Sequence, residues 1–185
     1  HLPEHITWVD GVFGAIKYAN QQGYKVLVVT NQAGVARGYY TEEHVKQLHL
    51  WMQQECLKHG AVIHDFAYCP HHPVEGQGAY KIACACRKPG PGMLLDLAKK
   101  HGIDLSKSFM IGDKESDVDA AKAAGVSGHL SALSGTPSPS LSGGGQPLLL
   151  NKPATSGHLS FLSAIPSPSL SGQPFVFELP ASVGH

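Results

Sequence analysis

The chain has 185 residues, which is enough for one domain of ordinary size with an appended segment. It carries 14 basic and 14 acidic side chains, so no charge excess indicates a nucleic-acid or anionic lipid surface. No apolar run is long enough to span a bilayer, and no signal-peptide pattern opens the sequence. We therefore expect a cytoplasmic protein that binds neither nucleic acid nor membrane, and we expect it to be a monomer.

Hydrophobic periodicity predicts alternating helices and strands over residues 1–130. The apolar stripe of Val12, Ile16 and Ala19 is typical of an amphipathic helix, whereas the continuous run at 25–30 is typical of a strand buried on both faces. The predicted elements are a helix at 12–23, a strand at 25–30, a loop at 31–40, a helix at 41–60, a strand at 63–68, a helix at 91–98, a strand at 108–111 and a helix at 118–124. This order predicts a three-layer α/β/α domain with a mostly parallel sheet, in which ligands bind at the carboxyl ends of the strands.

The composition changes at Ser131. Residues 131–185 are rich in Ser, Pro and Gly, and the sequence SGHLS at 127–131 recurs at 156–160. Two copies are too few for a solenoid, and such a composition cannot bury enough apolar surface to offset the entropy of ordering. We therefore predict a disordered, dispensable tail, and both a Pro-rich docking segment and a non-native extension remain open as its origin.

Two closely spaced pairs of metal-binding side chains flank a loop. Cys69 and His71 form the first pair, and Cys84 and Cys86 form the second. Three thiolates and one imidazole are typical of a closed, tetrahedral zinc site that has a structural role. The alternative is a set of ordinary loop cysteines, and Cys56 is interpreted as a free thiol rather than a ligand.

Two basic side chains directly follow the second pair of ligands. The Arg87 guanidinium suits bidentate recognition of phosphate, and the Lys88 ammonium suits a point charge on a transferred phosphoryl group. A loop fixed by zinc would hold both groups in place. The alternative is that Arg87 and Lys88 are simply solvated surface residues, but the adjoining metal ligands favour a functional role for them.

Polar groups stand at two predicted strand ends. Thr30, with the loop amides that follow it, could hydrogen-bond phosphate oxygens, or it could simply end a strand before a turn. Asp113 follows Gly112 at the end of another strand, where a carboxylate can hold Mg²⁺. Asp117 is left open as a supporting partner, and Glu115 is interpreted as a helix-start acid.

Taken together, these motifs resemble the D-glycero-D-manno-heptose-1,7-bisphosphate 7-phosphatase and histidinol-phosphatase family of the haloacid dehalogenase superfamily. The motifs are VVTNQAGVARGY at 28–39, YCPHHP at 68–73, CACRKP at 84–89 and IGDK at 111–114. The resemblance covers residues 1–130. It implies a Rossmann-like fold, catalytic Mg²⁺, an aspartyl-phosphate intermediate and a structural Zn²⁺ on the four Cys and His ligands.

The resemblance also implies roles for single residues. Thr30 corresponds to a residue that steadies the phosphoryl group, Lys88 to the lysine that neutralises it, and Arg87 to a substrate-recognition residue. Asp113 corresponds to a magnesium ligand. The implied substrate-contacting set is Thr30, Asn31, Gln32, Ala33, Arg87, Lys88 and Lys114.

The sequence departs from the family pattern at its start. The family begins with a strand that ends in a D-x-D pair, which supplies the nucleophile and the general acid–base, and His1 aligns downstream of that pair. Asp10 precedes the first helix and has no D-x-D partner, so it does not replace the missing pair. The resemblance therefore implies that a central strand is lacking, and that the family's closing strand is absent beyond Leu130.

The function implied by the resemblance is hydrolysis of the 7-phosphate of a heptose bisphosphate, in the synthesis of lipopolysaccharide precursors. Histidinol phosphate is the second candidate substrate. For the literal chain, a non-catalytic fragment stabilised by zinc is the alternative, because the nucleophile is not among its residues.

Overall fold

The computed structural model describes residues 3–131 and 175–178, which form one parallel sheet with helices on both faces. The helices are α1 (Val12–Gln21), α2 (Ala33–Ala36), α3 (Glu42–Lys58), α4 (Gly92–His101) and α5 (Glu115–Ala124). The strands are β1 (Val26–Asn31), β2 (Asp65–Cys69), β3 (Phe109–Gly112), β4 (Gly128–Ser131) and β5 (Phe175–Glu178). The strand order is β2-β1-β5-β3-β4, and all neighbouring pairs are parallel.

The side chains of strand β1 explain why helices cover both faces of the sheet. Val26 and Val28 pack in a core with residues of α1 and α3, whereas Leu27 and Val29 pack in a second core with residues of α4 and α5. All four are at most 1% exposed. Because successive strand residues point to opposite faces, a run of four apolar residues serves two cores. The predicted three-layer α/β/α fold is confirmed.

The ends of the helices follow the predicted local signals. Thr41 is the N-cap of α3, and its side-chain oxygen accepts a hydrogen bond from the backbone N–H of His44 at 3.3 Å. Gly23 follows α1 with φ of 83°, and Gly60 follows α3 with φ of 70°. That left-handed conformation is open to glycine at little cost, so both helices stop where the sequence indicates.

The observed elements differ from the prediction at several places. The loop at 31–40 contains the short helix α2, and β2 begins at Asp65 rather than at residue 63. Helix α5 begins at Glu115 rather than at residue 118, because the Asp117 carboxylate accepts a hydrogen bond from the backbone N–H of Lys114 at 2.9 Å. This capping interaction satisfies a backbone donor that would otherwise be unpaired at the helix start.

The sheet also includes residues that were assigned to the tail. Strand β4 pairs with β3 and extends to Ser131, and β5 lies between β1 and β3. The central position, where the resemblance implies that the family's own strand is lacking, is thus occupied by β5, and β4 extends one residue past the predicted domain end at residue 130. The predicted disorder of residues 132–174 and 179–185 lies outside the described residues. In the part that is described, no helix is long and apolar enough to cross a membrane.

The imidazole of His49 is buried between α3 and β2. Its ring stacks on Phe66 with centroids 4.3 Å apart, and its Nε2 has no hydrogen-bond partner among the described residues. Burial lowers the pKa of His49 to about 4, because the charged imidazolium would lose its hydration. The folded protein therefore holds His49 neutral where the unfolded chain would protonate it.

Acidification is expected to destabilise the protein through His49. Its folded pKa lies below its unfolded value of about 6.5, so the stability it contributes is present above that value and is lost as the pH falls toward about 4. The free energy of unfolding should drop by about 2 kcal/mol between pH 7 and pH 5 from this group. Urea unfolding of His49→Leu should show that much less pH dependence than the parent protein. The half-exposed His59, as His59→Leu, is the control; an unchanged slope in His49→Leu contradicts the prediction.

Candidate active site and metal centre

The four predicted zinc ligands converge at the end of strand β2. The Sγ atoms of Cys69, Cys84 and Cys86 lie 3.1–3.4 Å apart, and the Nδ1 atom of His71 lies 3.7 Å from Cys69 Sγ and 3.5 Å from Cys86 Sγ. All four ligand atoms lie within 4.8 Å of one another. At tetrahedral angles, zinc bonds of about 2.3 Å to sulfur and about 2.0 Å to nitrogen place sulfur atoms roughly 3.8 Å apart and sulfur and nitrogen roughly 3.5 Å apart. The sulfur–nitrogen distances agree with this, and a small outward shift of the sulfur atoms would admit the ion. The donor set therefore fits one tetrahedral zinc ion.

The second ligand pair is held against the start of helix α4. The carbonyl oxygen of Ala85 accepts a hydrogen bond from the backbone N–H of Gly92 at 2.9 Å. A Cβ atom at Gly92 or at Gly90 would overlap that same carbonyl. The two glycines therefore allow the loop that carries Cys84 and Cys86 to lie directly on α4.

Lys88 is a buried cation at the carboxyl end of β1. Only 3% of the residue is exposed, and its Nζ donates to the carbonyl oxygen of Val29 at 3.1 Å. The same Nζ lies 3.2 Å from a carboxylate oxygen of Asp117, which is 1% exposed. Burial lowers the pKa of Lys88 to about 8, and the negative charges of Asp117 and Asp113 oppose that change.

The side chain of Asn31 fixes the backbone of Lys88. Its amide donates to the Lys88 carbonyl at 3.1 Å, and its amide oxygen accepts from the Lys88 N–H at 3.0 Å. Both polar ends of the side chain are thus engaged across 57 residues of sequence. Asn31 connects β1 to the segment that follows the metal loop, residues 69–86, and so positions Lys88 beside the end of β1.

Gln32 supports the hydroxyl group of Thr30. Its amide nitrogen donates to Thr30 Oγ1 at 3.2 Å, and its amide oxygen accepts from the Tyr40 hydroxyl at 2.7 Å. A Cβ at Gly34 would overlap the ring of Tyr40, so glycine is what lets this ring reach Gln32. Helix α2 begins at the buried Ala33, directly after these groups.

The remaining predicted site residues lie around this centre. The guanidinium of Arg87 donates to the backbone carbonyl of His71 at 3.2 Å, so it spans the two metal-ligand segments. Asp113 follows β3 and is half-buried, and Lys114 is exposed. Thr30, Lys88 and Asp113 therefore share the carboxyl edge of the sheet, as the α/β pattern predicts.

Two features of the site were underestimated or missed in the sequence. Asp117 was left open, and its position one helical turn after the G-D motif was the available signal for its ion pair with Lys88. The Arg37 guanidinium donates to the Glu75 carboxylate at 2.7 Å, and the backbone N–H of Gln77 donates to the carbonyl of Ala36 at 2.9 Å. These bonds join the metal loop to the loop after β1, and no local sequence signal indicates them.

Removing one partner of the Lys88–Asp117 pair is expected to be far more harmful than removing both. Lys88→Met leaves a buried carboxylate without its cation, which should lower the free energy of unfolding by about 3–5 kcal/mol. The double variant Lys88→Met with Asp117→Leu should recover most of that loss, because no uncompensated charge remains. Urea unfolding of the parent, Lys88→Met, Asp117→Leu and the double variant measures this coupling.

The exposed pair Lys58–Glu55 is the control for that double-mutant cycle. Its atoms are also close, at 2.8 Å, but the Lys58 side chain is 67% exposed. Lys58→Met should change the free energy of unfolding by less than about 1 kcal/mol. Simple additivity of the Lys88 and Asp117 substitutions would contradict the prediction.

Comparison with known proteins decides the family. The profile of the HAD-hydrolase-like family matches residues 85–141. The D-glycero-beta-D-manno-heptose-1,7-bisphosphate 7-phosphatase of Rhodopseudomonas palustris is 53% identical over 126 residues, which cover 68% of this chain and 69% of the relative. The chain belongs to the heptose-1,7-bisphosphate 7-phosphatase family. The alpha-anomer enzyme of this family from Burkholderia mallei is 43% identical over 123 residues, covering 66% of this chain and 65% of the relative.

Two solved structures share the fold of this family member. An HAD-like phosphatase from Mesorhizobium loti superposes with a TM-score of 0.64 at 34% identity, covering 67% of this chain and 59% of that one. The D,D-heptose 1,7-bisphosphate phosphatase of B. bronchiseptica, in complex with magnesium and phosphate, gives a TM-score of 0.57 at 34% identity, covering 65% of this chain. The present chain spans 63% of the length of that second structure.

Proposed function

We propose that this chain carries the phosphate-binding groups of an enzyme that removes the 7-phosphate from D-glycero-D-manno-heptose 1,7-bisphosphate. The observation that carries the proposal is the buried ammonium of Lys88, held at the carboxyl end of β1 by Asn31 and Asp117. A cation fixed in this way can stabilise the charge of a transferred phosphoryl group without moving during the reaction. The names of the relatives supply the substrate.

Some of the residues would bind phosphate, and others would hold the phosphate-binding residues in place. Thr30 and Lys88 would contact the phosphoryl oxygens, and Arg87 would recognise the rest of the substrate. Asn31 would act by positioning Lys88, because its amide is already bonded to the Lys88 backbone. Further proposed contacts to the substrate come from Gln32, Ala33 and Lys114.

Two metal ions belong to the proposed function. Asp113 is the carboxylate that would hold Mg²⁺ at the edge of the sheet, where the ion would neutralise phosphate oxygens. Zinc on Cys69, His71 and the Cys84–Cys86 pair would be structural, since four protein ligands leave no open position. Its effect would be to fix the segment from which Arg87 and Lys88 follow directly.

A different function is supported by a specific feature of the 185 residues. No strand predicted from the sequence ends in a D-x-D pair, and neither does any strand within residues 3–131 and 175–178. An aspartyl-phosphate intermediate needs a carboxylate at such a position. This favours a non-catalytic, zinc-stabilised phosphate-binding fragment for the chain as given. Histidinol phosphate remains the alternative substrate, while a role in lipopolysaccharide precursor synthesis in the cytoplasm goes with the heptose substrate.

The experiment that tests the substrate is phosphate release from heptose 1,7-bisphosphate and from histidinol phosphate. It is run with and without Mg²⁺, on this chain and on a version extended by an N-terminal D-x-D strand. A preference of the extended chain for the heptose bisphosphate supports the proposal. A preference for histidinol phosphate overturns it in favour of the second substrate.

A further inference from the structure

Strand β5 occupies the centre of the sheet although it comes from the Ser/Pro-rich tail. Residues Phe175 to Glu178 pair in parallel with residues Val26 to Val29 of β1 on one side. On the other side, residues Phe175 to Phe177 pair with residues Phe109 to Ile111 of β3. A four-residue segment is thus hydrogen-bonded along both of its edges, and 43 residues separate it from the end of β4.

The sheet requires a strand at this position. Neighbouring strands lie about 4.8 Å apart, so β1 and β3 stand roughly 10 Å apart with one strand between them. Without an intervening strand, the inner edges of β1 and β3 would leave their backbone N–H and C=O groups unpaired among buried side chains such as Val28 and Met110. Unpaired buried backbone groups are costly, so the space between β1 and β3 binds an extended segment well.

The sequence of the tail singles out the segment that fits. Within residues 132–185, only 175–177 forms a run of three consecutive aromatic or β-branched residues, and such residues favour strands. Pro174 directly precedes the run, and Pro180 follows it after two further residues. Because proline lacks a backbone N–H, these two residues limit how far the pairing can extend.

We propose that the space between β1 and β3 is a strand-binding site and that residues 175–178 of the same chain are its occupant. Part of the tail is then structural rather than dispensable. The occupant also sets the separation between the strand that carries Thr30 and the strand that precedes Asp113. The Thr30 side and the Asp113 side of the candidate phosphate site are therefore held apart by residues 175–178 of the tail.

The test compares two proline substitutions in the full zinc-loaded chain by hydrogen exchange. Val176→Pro removes a backbone donor in the middle of β5 and should make exchange of amides in 26–29 and 109–111 at least tenfold faster. Leu170→Pro, in the same tail but outside the strand, should leave those amides at the parental rate. Equal exchange in the two variants would overturn the proposal.

A peptide separates loss of this strand from general misfolding. Added to the Val176→Pro chain, a peptide with the sequence of residues 173–180 should restore slow exchange in 26–29 and 109–111, and a peptide with proline at the position of Val176 should not. Failure of the first peptide, or equal rescue by the second, would overturn the strand-binding site. The parent chain should run as a monomer in sizing experiments, and a dimer would overturn the assignment to the same chain.

Discussion

The 185-residue chain is expected to release phosphate from heptose 1,7-bisphosphate no faster than a buffer control, and an N-terminal extension with a D-x-D strand is expected to produce magnesium-dependent turnover. Thr30, Arg87 and Lys88 can bind and stabilise a phosphoryl group, but they do not supply an attacking carboxylate. Asp113 alone should also hold Mg²⁺ weakly. Removing a nucleophile from a set of residues that act together costs on the order of 10⁴- to 10⁶-fold in rate.

The measurement is the rate of phosphate release by both chains, each with and without Mg²⁺. Robust magnesium-dependent turnover by the 185-residue chain would show that its nucleophile lies elsewhere in its own sequence. The extended chain should also be made with Val176→Pro, because the added strand and residues 175–178 would compete for the same central position. If only the proline version is active, the tail segment obstructs the added strand; inactivity of both contradicts the prediction.

Cys84→Ser is expected to abolish tight zinc binding. The parent chain should hold about one zinc per chain, because its four ligand atoms lie within 4.8 Å of one another. Structural zinc in small domains contributes roughly 10–16 kcal/mol of apparent binding free energy, so a lost ligand should release the ion. Hydrogen exchange should then increase first around Arg87 and Lys88, before the helices α1 and α3 are affected.

Elemental analysis of purified protein measures this outcome, and Cys56→Ser is the matched control. Cys56 is fully buried on α3, burial raises the pKa of its thiol to about 12, and it lies outside the four-ligand cluster. The Cys56→Ser chain should therefore keep its zinc. Unchanged zinc content in Cys84→Ser, or no zinc in the parent, would contradict the prediction.

Local sequence signals identified most elements of the domain because the physics that forms them is local. The alternation of residues 26–29 between the two faces of the sheet, the Thr41 cap and the glycine after α1 all act within a few residues of where they stand. The C-x-H and C-x-C spacings likewise placed their ligands in pairs. The convergence of the two pairs needed only that one loop fold back on the end of β2.

The site's internal support could not be derived in the same way. The Asn31 amide contacts the Lys88 backbone across 57 residues, and Lys88, which lies in a turn, pairs with Asp117 on helix α5. Several side chains of the right chemistry were available for each role. The packing of α4 and α5 on one face of the sheet decides which of these side chains come into contact. The sequence therefore could not show that Asp117 is the residue that pairs with Lys88.

By itself, the sequence determined a parallel α/β domain, its family motifs and a set of ligands able to hold zinc. The tertiary structure alone decided that residues 175–178 lie in the middle of the sheet. The physical reason is that the backbone groups of a strand form their hydrogen bonds with neighbouring strands and not within the strand itself. The sequence of a short apolar segment in a polar tail does not indicate which strands it will pair with. The inner edges of β1 and β3 can bind it only once the rest of the fold has formed.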